Sequence, residues 1–131
     1  MNKFSCQALA LIGSRTINPE EAFSQTLTWL EENIDLATVT KIYSGGATGA
    51  DQIGKILAGH LKLELVVFLP NYQRYGRRAP LVRNEQIALA DACLAVVDRP
   101  LQESRGTADC VRKFSKLEKP VWVLQLDSKS L

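Results

Sequence analysis

Residues 38–70 read TVTKIY, then SGGATGAD, then QIGKILAGHLK, then LELVVFLP. Two short apolar runs bracket a stretch in which Ile53, Ile56, Leu57 and Leu61 share one helical face. Between the first run and that helix lies Ser44 to Asp51, with three glycines in five residues (Gly45, Gly46 and Gly49). Glycine weakens helices and strands alike, so this segment is a turn. The pattern is strand, helix, strand. The five apolar residues 65–69 predict a parallel strand buried on both faces.

The same alternation extends in both directions. Upstream, ALALIG (8–13) reads as a buried strand, and NPEEAFSQTLTWLEENI as a helix with Asn18 as N-cap, Pro19 in the first turn and Glu21 three residues after the cap. Phe23, Leu27, Leu30 and Ile34 give that helix its core-facing stripe, and Trp29 and Trp122 fall on periodic core positions. Downstream, NYQRYGRRA is a polar, aromatic and basic loop, long for a connection and for that reason suspect as functional. PLVRNEQIALAD is a helix opening on Pro80, ACLAVVD a strand, RPLQESRGT a second polar loop, ADCVRKFSKLEK a helix and PVWVLQL a last strand. The final DSKSL is expected to fray. Five strands alternating with four helices predict an α/β fold, a Rossmann-like doubly wound parallel sheet of order 3-2-1-4-5, built by residues 1–131 as a single domain.

Composition agrees with that size. The chain has 131 residues, 46% hydrophobic and 23% charged, enough for a core without disulfide or metal staples. No apolar run approaches the ~18 residues of a membrane span, and the N-terminus reads better as a first strand than as a signal peptide. Cys6, Cys93 and Cys110 are far apart and odd in number, which suits thiols in a reducing cytoplasm. Neither a metal nor a cofactor is called for. The net charge of +2 hides an asymmetry: no acid occurs between Glu64 and Glu85, where Arg74, Arg77, Arg78 and Arg83 fall. Such a patch suits an anionic ligand, phosphate or nucleic acid.

In a sheet of this kind ligands bind beyond the carboxyl ends of the strands, where the strand order reverses, here between the first and fourth strands. The loops at that edge carry Gly13, Ser14 and Arg15; Ser44, Gly45, Gly46, Gly49 and Asp51; Tyr72 and Tyr75; and Ser104, Arg105, Gly106 and Thr107. Two of these loops run into helices, whose first N–H groups and dipole suit a phosphate. The expectation is an anion cradle at the starts of both the second and fourth helices. Arg15 and Arg83 would neutralise charge, with Asn84 beside Arg83, and Tyr72 or Tyr75 would cover a base or ribose.

IGSR, SGGATGAD, YGRRAPLVRNEQIALADACLAV and SRGTADCVRKFSKLEKPVWVL, in that order, resemble the SLOG superfamily. It includes the LOG-type phosphoribohydrolases and the DNA-processing protein A family; the resemblance is greatest to the small stand-alone YspA/YpsA-like branch. It covers about Ala8 to Leu126 and implies a Rossmann-like fold that binds a nucleotide or a nucleotide-derived ligand. Arg83 matches an arginine of the LOG-type enzymes, and LQESRGTADC matches their PGGxGTxxE turn, with Gly106 and Thr107 retained. Cys110 stands where that motif has its catalytic glutamate, which argues against LOG-type hydrolysis.

The functional expectation is binding of a nucleotide or ADP-ribose-like molecule. The alternatives are hydrolysis of nucleoside monophosphates and single-stranded DNA binding, the latter through YQRYGRR. If there is catalysis, Asp51 and Asp109 are its carboxylates; both are expected at helix starts, where the dipole would keep them charged and make them poor proton donors. The expected partners are a nucleotide-like small molecule, weak nucleic-acid binding at most, a second copy in a homodimer, and no membrane.

Overall fold

Residues 2–126 are described by a computed structural model; the fraying expected of residues 127–131 lies outside them. Alternation along the first strand sets the architecture. In β1 (Ala8–Gly13), Leu9 and Leu11 enter one apolar cluster while Ala10 and Ile12 enter another, so both faces of the strand are covered. β4 (Ala92–Val97) repeats this, with Leu94 and Val96 on one side and Cys93 and Ala95 on the other. β2 (Lys41–Ser44), β3 (Glu64–Val67) and β5 (Val121–Gln125) complete a five-stranded parallel sheet of order β3-β2-β1-β4-β5, the order expected.

Helices α1 (Pro19–Asn33) and α2 (Ala50–Leu61) cover the Leu9–Leu11 face through Leu30, Ile53 and Leu57. Helices α3 (Ala79–Ile87) and α4 (Arg105–Lys116) cover the other through Ile87, Cys110 and Phe114, against small residues that let the helices approach. Fully burying each large apolar side chain contributes about 1.5–3 kcal/mol, so the central strands and these contacts carry most of the stability. The Asn18 side chain accepts from the Glu20 and Glu21 N–H groups at 3.0 and 3.2 Å, the cap expected of it. Trp29 and Phe4 both meet Trp122 edge-on, so the two tryptophans pack against the core as predicted. No helix among the described residues is long and apolar enough to cross a membrane.

Three expectations need correction. β3 is an edge strand and is not buried on both faces: Glu64 is exposed and Val67 is 42% exposed. The segment 71–78 is not an open loop. Asn71 caps a one-turn helix (Tyr72–Tyr75) by accepting from the Arg74 N–H at 3.1 Å, and a 3-10 turn (Gly76–Arg78) runs on into α3. Lastly, α4 begins at Arg105, earlier than the apolar pattern suggested, which puts Arg105, Gly106 and Thr107 inside its first turn.

Candidate functional site

The crossover between β1 and β4 leaves a cleft over the end of β1, as the topology requires. Its outer part is a bowl of about 340 Å³ walled by Gly13, Ser14, Arg15 and Thr16 on one side, and by Arg99 and residues 103–107 on the other. The floor continues into a slot of about 40 Å³ among Gly45, Ala47, Asp51, Arg83, Asn84, Thr107 and Cys110. Gly13, Arg15, Gly106 and Thr107 line both parts, so the two adjoin.

The bowl is built around the start of α4. Ser104 is its N-cap by position, but the serine side chain makes no capping bond, and no acid lies in the first turn. The N–H groups of Arg105, Gly106 and Thr107 precede the first intrahelical bond, from Ala108 N–H to Ser104 O at 2.8 Å. Arg15 and Arg105 are exposed on opposite walls, and Arg99 is partly exposed beside them. Arg99 is held in place: its Nε donates to Asp98 Oδ1 at 2.9 Å and its Nη2 to Thr16 Oγ1 at 2.8 Å, while Thr16 Oγ1 donates to Asp98 Oδ2 at 2.6 Å. Partial burial pushes the Asp98 carboxyl up, but the Thr16 and Arg99 hydrogen bonds and the Arg99 charge outweigh it and hold Asp98 below its usual range.

The slot is built by the turn between β2 and α2 together with α3. Asp51, in the first turn of α2, is 8% exposed and accepts the Ala47 N–H at 2.9 Å, so its carboxylate folds back over the turn. Burial pushes its pKa up to about 6, against the opposing pull of the Ala47 and Gly45 N–H groups and of Arg83 and Arg15. The helix dipole therefore does not hold Asp51 at ordinary carboxylate acidity, since desolvation is the larger effect, although at neutral pH the group stays mostly ionised. Arg83 is buried and gives Nη1 to Gly45 O at 2.6 Å and Phe68 O at 3.3 Å. It therefore holds the turn and the end of β3 as well as adding charge. Asn84 accepts from Arg83 Nε at 3.1 Å and donates to Gly106 O and Asp109 Oδ2, tying α3 to the start of α4.

The glycines of the β2–α2 turn have structural duties. Gly49 has a φ of +77°, and a Cβ there would lie 2.3 Å from Ser14 O; this close approach lets Ala50 N–H reach Ser14 O at 2.9 Å. Gly46 faces Val67 and Leu69, away from the cavity, and Ser44 is buried, with its Oγ bonded to Asp51 O and the Gly46 N–H. The start of α2 is thus not the second half of an anion cradle. Gly13, Ser14, Arg15, Gly45, Asp51, Arg83, Asn84, Ser104, Arg105, Gly106 and Thr107 do meet at the cleft.

Three further candidates lie elsewhere. Tyr72 and Tyr75 sit on the exposed one-turn helix, Tyr75 lining a separate groove, so neither covers the cleft. Asp109 is not at the helix start: it is the fifth residue of α4, bonded to Lys113 Nζ at 2.6 Å and to Asn84, and it lines neither part of the cavity. Cys110 lies in the slot wall but is buried against the core and carries no carboxylate chemistry. Thr16 and Asp98 had no motif to mark them; only the parallel pairing of β1 with β4 joins them to Arg99. No protein-family model matches the chain, and no curated protein matches it in sequence.

Proposed function

We propose that the protein binds a nucleotide or a nucleotide-derived molecule, such as one resembling ADP-ribose, with a phosphate at the start of α4. The observation that carries this reading is the unblocked first turn of α4 opening into a bowl with Arg15, Arg99 and Arg105 around it. About 340 Å³ lies in the range of small-molecule sites. The likeness of the cleft loops to SLOG motifs points the same way. A reducing compartment such as the cytoplasm suits three buried free thiols, and the exposed apolar residues Val67, Leu69 and Leu89 offer a surface for a homodimer.

The test is calorimetric titration with AMP, ADP-ribose and adenosine, paired with thermal-shift measurements. Both phosphate-bearing ligands should bind and raise the melting temperature, and adenosine should bind more weakly. Failure of all three to bind folded protein at millimolar concentration would sink the reading. A second reading, N-glycosidic hydrolysis of a nucleoside monophosphate, is favoured by one feature: Asp51 lines the slot next to the bowl, and burial pushes its carboxyl up to about 6, which suits a group that exchanges a proton. Free adenine released from AMP by wild type and lost in Asp51→Asn would support it, whereas release that survives this substitution would exclude Asp51.

A further inference from the structure

The bowl and the slot differ in what they can receive. The bowl is open and cationic. The slot is narrow, and Asp51, Arg83, Asn84 and Thr107 around it are each more than nine-tenths buried. About 40 Å³ is room for roughly three water-sized spheres, too little for a nucleobase but enough for the hydroxyl edge of a sugar. An anionic group there would meet the Asp51 carboxylate, whereas a hydroxyl could donate to it.

Two atoms are suited to that contact. Asp51 uses Oδ2 for the Ala47 N–H and has further lone pairs to give, since a carboxylate offers about four. Thr107 is 8% exposed, lines both bowl and slot, and its Oγ1 makes no hydrogen bond among the described residues. No buried polar side-chain atom among the described residues lacks a partner, so this oxygen is reached by solvent from the cavity and is open to a ligand there. It also lies within the α4 first turn, next to the proposed phosphate position.

We infer that the slot is a hydroxyl-recognition subsite, in which Asp51 and Thr107 take the vicinal diol of a phosphorylated sugar whose phosphate rests at the start of α4. The protein then selects ribose over 2-deoxyribose ligands. This rests on the proposed phosphate position, and the experiment separates the two. Ribose 5-phosphate, 2-deoxyribose 5-phosphate and inorganic phosphate are titrated calorimetrically into wild type, Asp51→Asn and Thr107→Val. Asparagine retains an acceptor for the Ala47 N–H and valine retains the shape of threonine; melting curves confirm that each variant is folded.

Ribose 5-phosphate should bind wild type at least about tenfold more tightly than its 2-deoxy analogue, as expected for a lost hydrogen bond to a charged group. In Asp51→Asn that ratio should fall below about threefold, and in Thr107→Val it should fall several-fold, with inorganic phosphate still binding each variant. Equal wild-type affinity for the two sugars overturns the slot assignment and leaves the phosphate site standing. A ratio that survives both substitutions also overturns the assignment to these two residues. No binding by any of the three probes overturns both readings. Should Asp51→Asn fail to fold, Thr107→Val decides alone.

Discussion

The turn from β2 to α2 and the loop from β4 to α4 flank the end of β1 and meet in the slot, but they use their polar groups differently. In the first, Ala50 N–H goes to Ser14 O, Ala47 N–H to the Asp51 carboxylate, Gly46 N–H to Ser44 Oγ, and Gly45 O receives Arg83. In the second, the α4 N-cap serine makes no capping bond, and the arginines nearby stand at the surface of the bowl. One region is a fixed wall, and the other is the surface proposed to receive the ligand. A glycine-rich strand-to-helix turn therefore does not identify an anion site by itself; what matters is whether its donors are already used.

The same substitution should break the two regions unequally. Gly49→Ala places a Cβ against Ser14 O at a positive φ, and should cost at least about 3 kcal/mol in chemical denaturation, from strain and overpacking together. Gly106→Ala meets nothing within 4 Å and lies in a helix, so stability should hold or rise by up to about 1 kcal/mol. Equal losses at the two positions would remove the distinction between wall and receptor.

Asp51 gives the next largest effect. Its folded pKa, about 6, is above the unfolded value of 3.8, so the folded state binds the proton more tightly. Relative stability from this group is thus fully present below about pH 4 and is lost as the pH rises through about 6. Two units correspond to about 3 kcal/mol. Asp51→Asn should therefore stabilise the fold at neutral pH by about 2 kcal/mol, allowing for the burial of the amide, with the gain fading in acid. A gain that is flat across this range would show that the carboxylate is not the source.

Much of this layout was legible in the chain. The strand order, the Asn18 cap and the core placement of Trp29 and Trp122 follow from periodicity and crossover rules, which act over short stretches. What could not be read depended on tertiary placement. Tyr72 and Tyr75 follow β3, but β3 is the edge strand, separated from β4 by two strands, so its loop does not reach the cleft. Asp109 stands near a glycine in sequence, yet one helical step turns it to Lys113 and Asn84. The raised pKa of Asp51 arises from burial, which a single sequence does not display.

The placement of the arginines sharpens the comparison through binding. Arg99→Ala and Arg105→Ala should each weaken AMP about tenfold without lowering the melting temperature appreciably, since neither holds the core. Arg74, Arg77 and Arg78 are exposed and line no part of the cleft, so replacing all three with alanine should leave AMP affinity unchanged. Any single-stranded DNA binding, by contrast, should fall with those three, and anisotropy across a salt series would show it. A loss of AMP affinity in the triple variant would mean that the ligand extends well beyond the cleft.

The smallest effect is expected at Asp98, where receptor and scaffold meet. Its carboxylate bonds to Thr16 and Arg99 and its N–H to Ser14, at a partly exposed site. Because its folded pKa is depressed, it stabilises the fold above the unfolded value of 3.8 and loses that contribution as the pH falls through the lower folded value. The Arg99 partner is 42% exposed, so solvent screening limits the gain to well under about 1 kcal/mol. Asp98→Asn should thus barely alter neutral-pH melting, and even that difference should vanish in strong acid. Its effect on ligand should be larger in proportion: asparagine bonds Arg99 without the ionic component, so the guanidinium is less fixed and AMP affinity should drop about threefold. Thr16→Val, which removes the other tether, should produce a similar drop, and the double variant should lose no more than Arg99→Ala alone, because all three act through one guanidinium. Losses that add beyond the Arg99→Ala value would show that Asp98 or Thr16 meets the ligand directly.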